Sequence, residues 1–251
     1  MFPCRRVLIV LGLGVAAGVA WAGISDGLTD GLISAWTFDD GTANDIKGLN
    51  NGTLKGGAKI VAGKNGMGLD VNGIDAYVEI PHGPSMDAME SAFTHAAWAF
   101  IRDPGDHAAI MFKGDKVGWG PHFLIRLITD GGTNLSYGSN NVKGTKGETE
   151  PGAKGHEGWL NAFDAYDPGQ WIHLAQVADG KTLQPYLNGA PVEIQDGFHG
   201  ASGTKPVALT APYAIFPKQP IILGMSWGVR GIQENRTFLD GIIDEAAIFN
   251  R

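Results

Sequence analysis

Thr237-Phe238-Leu239-Asp240-Gly241-Ile242-Ile243-Asp244-Glu245-Ala246-Ala247-Ile248-Phe249 is the stretch on which the fold turns. Its apolar, β-branched and aromatic residues read as a buried strand. Working outward, comparable short runs occupy Leu32 to Phe38, Gly68 to Val71, Ala76 to Ile80, Phe93 to Arg102 and Ala109 to Lys113. Others lie at His122 to Thr129, Trp171 to Ala178, Leu183 to Leu187 and Ile221 to Met225. Between them stand Asp-Gly pairs such as Asp40-Gly41, Asp179-Gly180 and Asp240-Gly241, and Asn-Gly pairs such as Asn51-Gly52, Asn72-Gly73 and Asn188-Gly189. Asn and Gly tolerate positive φ, so these dipeptides favour tight turns. Many short strands with one helix-like fragment, Ser85 to Ala92, predict an all-β sandwich.

The chain has 251 residues, 43% of them hydrophobic, and a formal net charge of -7. That apolar fraction argues against disorder, and one sandwich domain accommodates the length. Lys and Arg total 19 against 26 Asp and Glu, so the cationic excess that drives nucleic-acid binding is missing. Residues 1–22 combine a basic head at Arg5-Arg6, an apolar run from Val7 to Val19 and small residues at Ala20 and Ala22. This predicts a secretory signal peptide cleaved after Ala22, because the run is shorter than the roughly 20 residues of a spanning helix. The mature chain, 23–251, is expected to be secreted, to have no membrane span and to carry no thiol, since the one cysteine is Cys4.

Three separated segments together resemble the laminin-G-like, concanavalin A-like jelly-roll domains of secreted bacterial proteins. The first contains Ala35-Trp36-Thr37-Phe38-Asp39-Asp40-Gly41, Asn44-Asp45-Ile46-Lys47-Gly48, and Gly68-Leu69-Asp70-Val71-Asn72-Gly73 leading to Tyr77-Val78-Glu79-Ile80-Pro81. The second is Trp171-Ile172-His173-Leu174 followed by Tyr186-Leu187-Asn188-Gly189, and the third is the opening stretch through Asn250. The resemblance implies a two-sheet antiparallel jelly-roll β-sandwich with the first and last strands side by side. Fold alone does not assign function.

The acidic set Asp39, Asp45 and Asp244 is the candidate metal site. Asp244 interrupts an apolar strand, and a buried carboxylate is costly unless it is paired or bound to metal. Calcium, which takes about 6–8 oxygen ligands, is the natural partner, and the side-by-side strands of the resembled family would bring Asp39 near Asp244. The competing reading is that Asp39 and Asp45 form turns and Asp244 accepts backbone hydrogen bonds.

Of seven tryptophans, Trp36, Trp98 and Trp171 fall within strands and are expected in the core. Trp119, Trp159 and Trp227 lie in Gly-flanked segments and, with Tyr137, Asn161 and Arg230, form the candidate glycan platform. A sugar stacks its C–H face on an aromatic ring while amides and guanidinium groups bond its hydroxyls. The Gly-, Lys-, Asn- and Thr-dense stretch from Gly131 to Gly169 is the candidate specificity loop.

Catalysis finds little support. The chain lacks the Glu-x-Asp-x-x-Glu strand motif that sets two carboxylates about 5–5.5 Å apart in retaining glucanases of related fold. His-Glu-x-x-His and phosphate-loop patterns are also missing, and no nucleophilic serine or cysteine is expected. The expected function is therefore a non-catalytic module binding an extracellular glycan or glycoprotein, with a structural calcium ion. The alternatives are a structural or adhesion domain that contacts a protein partner, and a hydrolase with an unrecognised carboxylate pair.

Overall fold

The computed structural model describes residues 29–89, 92–103, 107–114, 121–128, 133–139, 158–197, 200–208, 219–226 and 237–251. The signal-peptide expectation lies outside these residues.

In chain order the strands are β1 (Leu32–Trp36), β2 (Thr53–Lys55), β3 (Lys59–Ala62), β4 (Met67–Asn72), β5 (Tyr77–Ile80) and β6 (Phe93–Asp103). Next come β7 (Ala109–Gly114), β8 (Pro121–Ile128), β9 (Asn134–Ser139), β10 (Gly158–Ala162), β11 (Trp171–Ala178) and β12 (Thr182–Leu187). The chain continues with β13 (Ala190–Pro191), β14 (Asp196–Gly197), β15 (Val207–Ala208), β16 (Ile221–Leu223), β17 (Met225–Ser226), β18 (Thr237–Phe238) and β19 (Asp240–Phe249). The helix-like fragment is a single 3-10 turn, Pro84–Ala88, entered through a proline whose fixed φ suits a first turn.

Two large antiparallel sheets form the sandwich. The first runs β13-β12-β11-β6-β19-β4-β3, with β1 also paired to β19 and β15 to β12. The second runs β14-β10-β9-β8-β7-β16-β5-β2. As the resemblance implies, β1 and β19 lie side by side, with Ala35 opposite Ala247 and Trp36 opposite Ala246.

Strand β6 shows how the sequence selects the core face. Phe93, His95, Ala97, Ala99 and Ile101 are buried, while Thr94, Ala96, Trp98 and Phe100 are only half-buried. With a side-chain period of two, the first set faces the second sheet and the other faces outward. The core joins Leu69, Phe93, Ile172, Leu174 and Ile243 of the first sheet to Ile80, Ile110, Ile125, Tyr137 and Leu160 of the second.

Trp36 is wholly buried, as expected, and its indole N–H donates to the Asn50 carbonyl at 2.9 Å. Every residue of β1 is buried because the strand is covered twice. Ile33 and Trp36 enter the main core, while Leu32 and Ala35 pack with Ala247, Phe249 and Ile46 on the other side.

Trp98 and Trp171 depart from expectation. Both belong to the outward register of their strands and are half-buried, because the inward positions beside them are taken by Ala97, Ala99 and Ile172.

Candidate functional site

Strand β19 changes partner halfway along its length. It pairs with β4 from Asp240 to Ile243 and with β1 from Ala246 to Phe249. Asp244 and Glu245 lie in the gap, where the pairing with β6 is irregular between Asp244 and Ala247. A bulge of this kind bends the strand and re-aims its side chains. Glu245 has φ 50°, a left-handed conformation that is unfavourable for a side chain of its size.

The turn between β3 and β4 fills the gap. The Asn65 amide donates to Asp244 Oδ2 at 2.9 Å, and the Glu245 amide donates to Asp244 Oδ1 at 2.7 Å. Asp39, just beyond β1, accepts the Met67 amide on Oδ1 at 2.8 Å. The approach demands glycine at two positions: a Cβ on Gly63 would lie 2.6 Å from Asp244 Oδ2, and one on Gly66 would collide with Asp39 Oδ1.

Glu245 completes this acidic group, and the sequence reading passed over it. Its side chain is 8% exposed, and neither carboxylate oxygen has a hydrogen-bond partner. Burial, then the charges of Asp244 and Asp39, push its carboxyl up to about 7. Burial also raises Asp244 to about 6, against the lowering effect of amide hydrogen bonds from Asn65, Glu245 and Lys64. Two buried carboxylates, Asp244 and Glu245, thus repel each other, with the exposed Asp39 adding a third negative charge at the rim. Among the described residues no three His, Cys, Asp or Glu side chains already stand as a metal-ligand group. A cation here would also draw on backbone carbonyls and water, both of which calcium accepts.

Asp45 is not part of this site. Its Oδ1 accepts the amides of Ala35 and Lys47, each at 3.1 Å, and its Oδ2 accepts those of Leu49 at 3.2 Å and Asn50 at 3.1 Å. With four donors filling both oxygens, this carboxylate ties residues 45–50 across β1. It takes the turn-forming role that was its alternative to metal binding, and Asp244 likewise accepts backbone amides, as its own alternative had it.

A second feature adjoins the acidic group. Trp98 on β6 stands opposite Asp244 on one side and His173 of β11 on the other. The Trp98 and His173 rings meet edge to face at 5.1 Å, and those of Phe100 and Trp171 meet at 5.7 Å, tilted by 55°. Lys64, from the β3–β4 turn, places its Nζ 4.8 Å from the centre of the Trp98 ring, within the range of a cation–π contact. Burial lowers the His173 pKa, which favours the uncharged imidazole.

The expected loop platform is only partly visible. Trp119, Trp227 and Arg230 lie outside the described residues, as do 131–132 and 140–157 of the candidate specificity loop, whose described part is not one loop but holds strands β9 and β10. Trp159 is a residue of β10, with its backbone paired to Gly138 of β9. Asn161, two residues on, is half-buried and donates through Nδ2 to Asp196 Oδ2 at 3.2 Å. Tyr137 must be withdrawn from the platform. Its parity on β9 turns it inward beside Leu135, it is wholly buried, and its hydroxyl faces the Tyr186 carbonyl at 3.4 Å.

Two stretches do have Gly-x-Ser-x-Gly spacing, one of them Gly224-Met225-Ser226-Trp227-Gly228. Ser226 is 3% exposed in β17, and its hydroxyl bonds the His107 carbonyl at 2.8 Å and the Thr237 hydroxyl at 2.6 Å. Buried and hydrogen-bonded, it lacks the exposure that a nucleophilic serine of that motif has.

The concanavalin A-like lectin/glucanases superfamily, in its laminin-G form, matches residues 72–251. No curated protein matches the chain in sequence. Among solved structures, domain 4 of AbnA, a GH43 extracellular arabinanase from Geobacillus stearothermophilus, was determined in complex with arabinotriose. It aligns with TM-score 0.57 and 22% identity, covering 87% of this chain and 91% of that one. The binding domain of botulinum neurotoxin DC in complex with rat synaptotagmin II aligns with TM-score 0.60 and 12% identity, covering 88% of this chain and 48% of that one. The same toxin domain in complex with SialylT gives 0.55 and 13%, with coverages of 88% and 48%. The chain thus spans about half the length of the toxin domains, and identities this low establish a shared fold only.

Proposed function

The chain belongs to the concanavalin A-like lectin/glucanase superfamily, and from that premise we propose that it is a secreted, non-catalytic carbohydrate-binding module with a structural calcium ion. The observation that carries the reading is the near end-to-end likeness to a domain solved with arabinotriose. Trp119, Trp159 and Trp227, with Asn161 and Arg230, are the loop-borne candidates for contact with sugar. Signal-peptide cleavage after Ala22 would deliver the module outside the cytoplasm.

The calcium proposal rests on the gap in β19. Asp244, Glu245 and Asp39 would hold the ion, and Asp45 would not. The unpartnered, buried carboxylate of Glu245 supports this fit. Calcium would supply positive charge beside the two buried carboxylates, Asp244 and Glu245, and would reach Asp39 at the surface, fixing the β3–β4 turn and the end of β1 to the last strand.

The test is binding of the mature chain from Gly23 to an array of glycans and insoluble polysaccharides, in calcium and again with excess chelator. Retention in calcium supports the module, and weaker retention in chelator supports the ion. Folded protein that retains no glycan contradicts the reading. Saturable capture of a protein, unaffected by free sugar, would favour the adhesion alternative, for which the toxin domain solved with synaptotagmin II is the precedent in this fold.

A further inference from the structure

We infer that the outer face of the first sheet carries a carbohydrate subsite, formed by Trp98 and Phe100 of β6 with Trp171 and His173 of β11. The inference deepens the carbohydrate-binding reading and rests on it, but it moves the contact from the loops to the sheet.

The register builds the shelf. Trp98 is opposite His173, and Phe100 is opposite Trp171, so the four rings stand in two rows on one face. Rows separated by two residues along a strand are about 6.8 Å apart. All four side chains are half-buried, so each keeps part of its surface in solvent. The next row steps down: Ala96 faces Ala175, and Ala175 in turn faces Tyr186 of β12, which is half-buried. Two alanines flanked by large rings make a shallow trough with an aromatic wall, a shape suited to the flat C–H face of a sugar ring.

Hydrogen-bonding groups border the trough. In its uncharged form the His173 imidazole offers one donor and one acceptor. The Asn188 side chain uses its Oδ1 to accept the His173 amide at 2.9 Å, leaving its NH2 donors. Lys64 is exposed, so its ammonium can leave the Trp98 face and donate to a hydroxyl when a sugar takes its place.

Charge and area select the occupant. Asp244 is the register partner of Trp98 at one end. At the other, Arg102 is consumed by Asp70 and Asp240, each at 2.7 Å. Asp244 is wholly buried with amides on both oxygens. The two carboxylates set against the single Arg102 guanidinium, on a chain of net charge -7, are therefore what disfavour sulfated or uronic acid glycans and leave neutral ones. A stable protein partner needs about 800 Å² on each side. Three large aromatic side chains of roughly 150–250 Å² each and a smaller imidazole, all already half-covered, leave on the order of 300–400 Å². The occupant is therefore a neutral polysaccharide chain spanning both aromatic rows.

The experiment measures binding of linear arabinan, xylan, mixed-linkage β-glucan and heparin to the mature chain and to Trp98→Ala, Trp171→Ala and Trp98→Phe. The indole N–H signals of Trp98 and Trp171 in the unmodified protein provide a readout that does not depend on the variants folding. The expected result is retention of at least one neutral polysaccharide and none of heparin. Affinity should fall at least tenfold in each alanine variant and largely recover in Trp98→Phe, with both indole signals shifting saturably. Neutral-polysaccharide binding with unchanged affinity in the alanine variants and unmoved indole signals would overturn the sheet subsite while leaving the module reading intact. Folded protein that retains none of the polysaccharides would overturn both.

Discussion

Asp45 and Glu245 are equally withdrawn from water, at 3% and 8% exposure, yet their surroundings are opposite. Asp45 receives four backbone N–H donors, so the chain itself meets the cost of taking its charge out of water. Glu245 receives none, sits in a left-handed backbone conformation and faces two like charges. Burial alone therefore does not mark a functional acid. Asp45, with four amides on its oxygens, is architecture; Asp244 also takes an amide on each oxygen, and it is Glu245, whose oxygens are empty, that most calls for something outside the chain.

Asp45→Ala breaks the comparison from the architectural side. It strands four donors at once, and with hydrogen bonds to charged groups worth about 1.5–3 kcal/mol each and far from additive, the expected loss of stability is on the order of 3 kcal/mol. Urea denaturation checks the value, and the loss should be the same with calcium as with chelator.

Glu245→Gly tests the other side. Glycine relieves a left-handed conformation costing about 1–2 kcal/mol and removes the crowded charge, so in chelator the variant should be more stable than the parent by about 1 kcal/mol. In calcium the order should reverse or the gap close, because the variant has lost a ligand. A variant destabilised in both conditions would show that Glu245 is structural after all.

The smallest effect is with pH. Asp244 and Glu245 titrate near 6 and 7 in the folded chain, above the roughly 3.9–4.3 of an unfolded one. The folded state therefore binds more protons between these values. The contribution of this pair is fully present below about pH 4 and is lost as pH rises through about 6 and 7. In chelator the melting midpoint should decline from about pH 5 to about pH 8, and calcium should flatten the decline. Melting curves across that range in Glu245→Gly should show a shallower slope.

Much of the fold was legible in the sequence. Trp171 to Ala178 was read as a strand and is β11 without change, and Phe93 to Arg102 is β6 to within one residue. Alternation identifies a strand but not which of its two faces is the inner one. Trp98 and Trp171 are expected in the core from their place within strands, whereas the core selected the small Ala97 and Ala99 and the slim Ile172. Tyr137 looked like a loop residue among Gly and Asn, yet strand pairing with β8 and β10 carries it inward.

The acidic site was half legible for a related reason. Asp244 stood out against its apolar neighbours, but its link to Asp39 depends on the side-by-side placement of β1 and β19, which came from the resemblance. Glu245 was invisible because its role depends on a bulge, and an extra residue in one strand has no signature in that strand's own sequence. Asp45 was legible through its alternative reading as a turn former, since its four donors come from Lys47, Leu49 and Asn50 just after it and from Ala35 ten residues before.

Calorimetric titration of calcium into the metal-free mature chain, run alongside Glu245→Gly and Asp45→Ala, tests the central claim most directly. The account predicts saturable binding at one site, lost in Glu245→Gly and kept in Asp45→Ala at temperatures where that variant is folded. Absence of binding to the folded parent chain, or binding undiminished in Glu245→Gly, would contradict it.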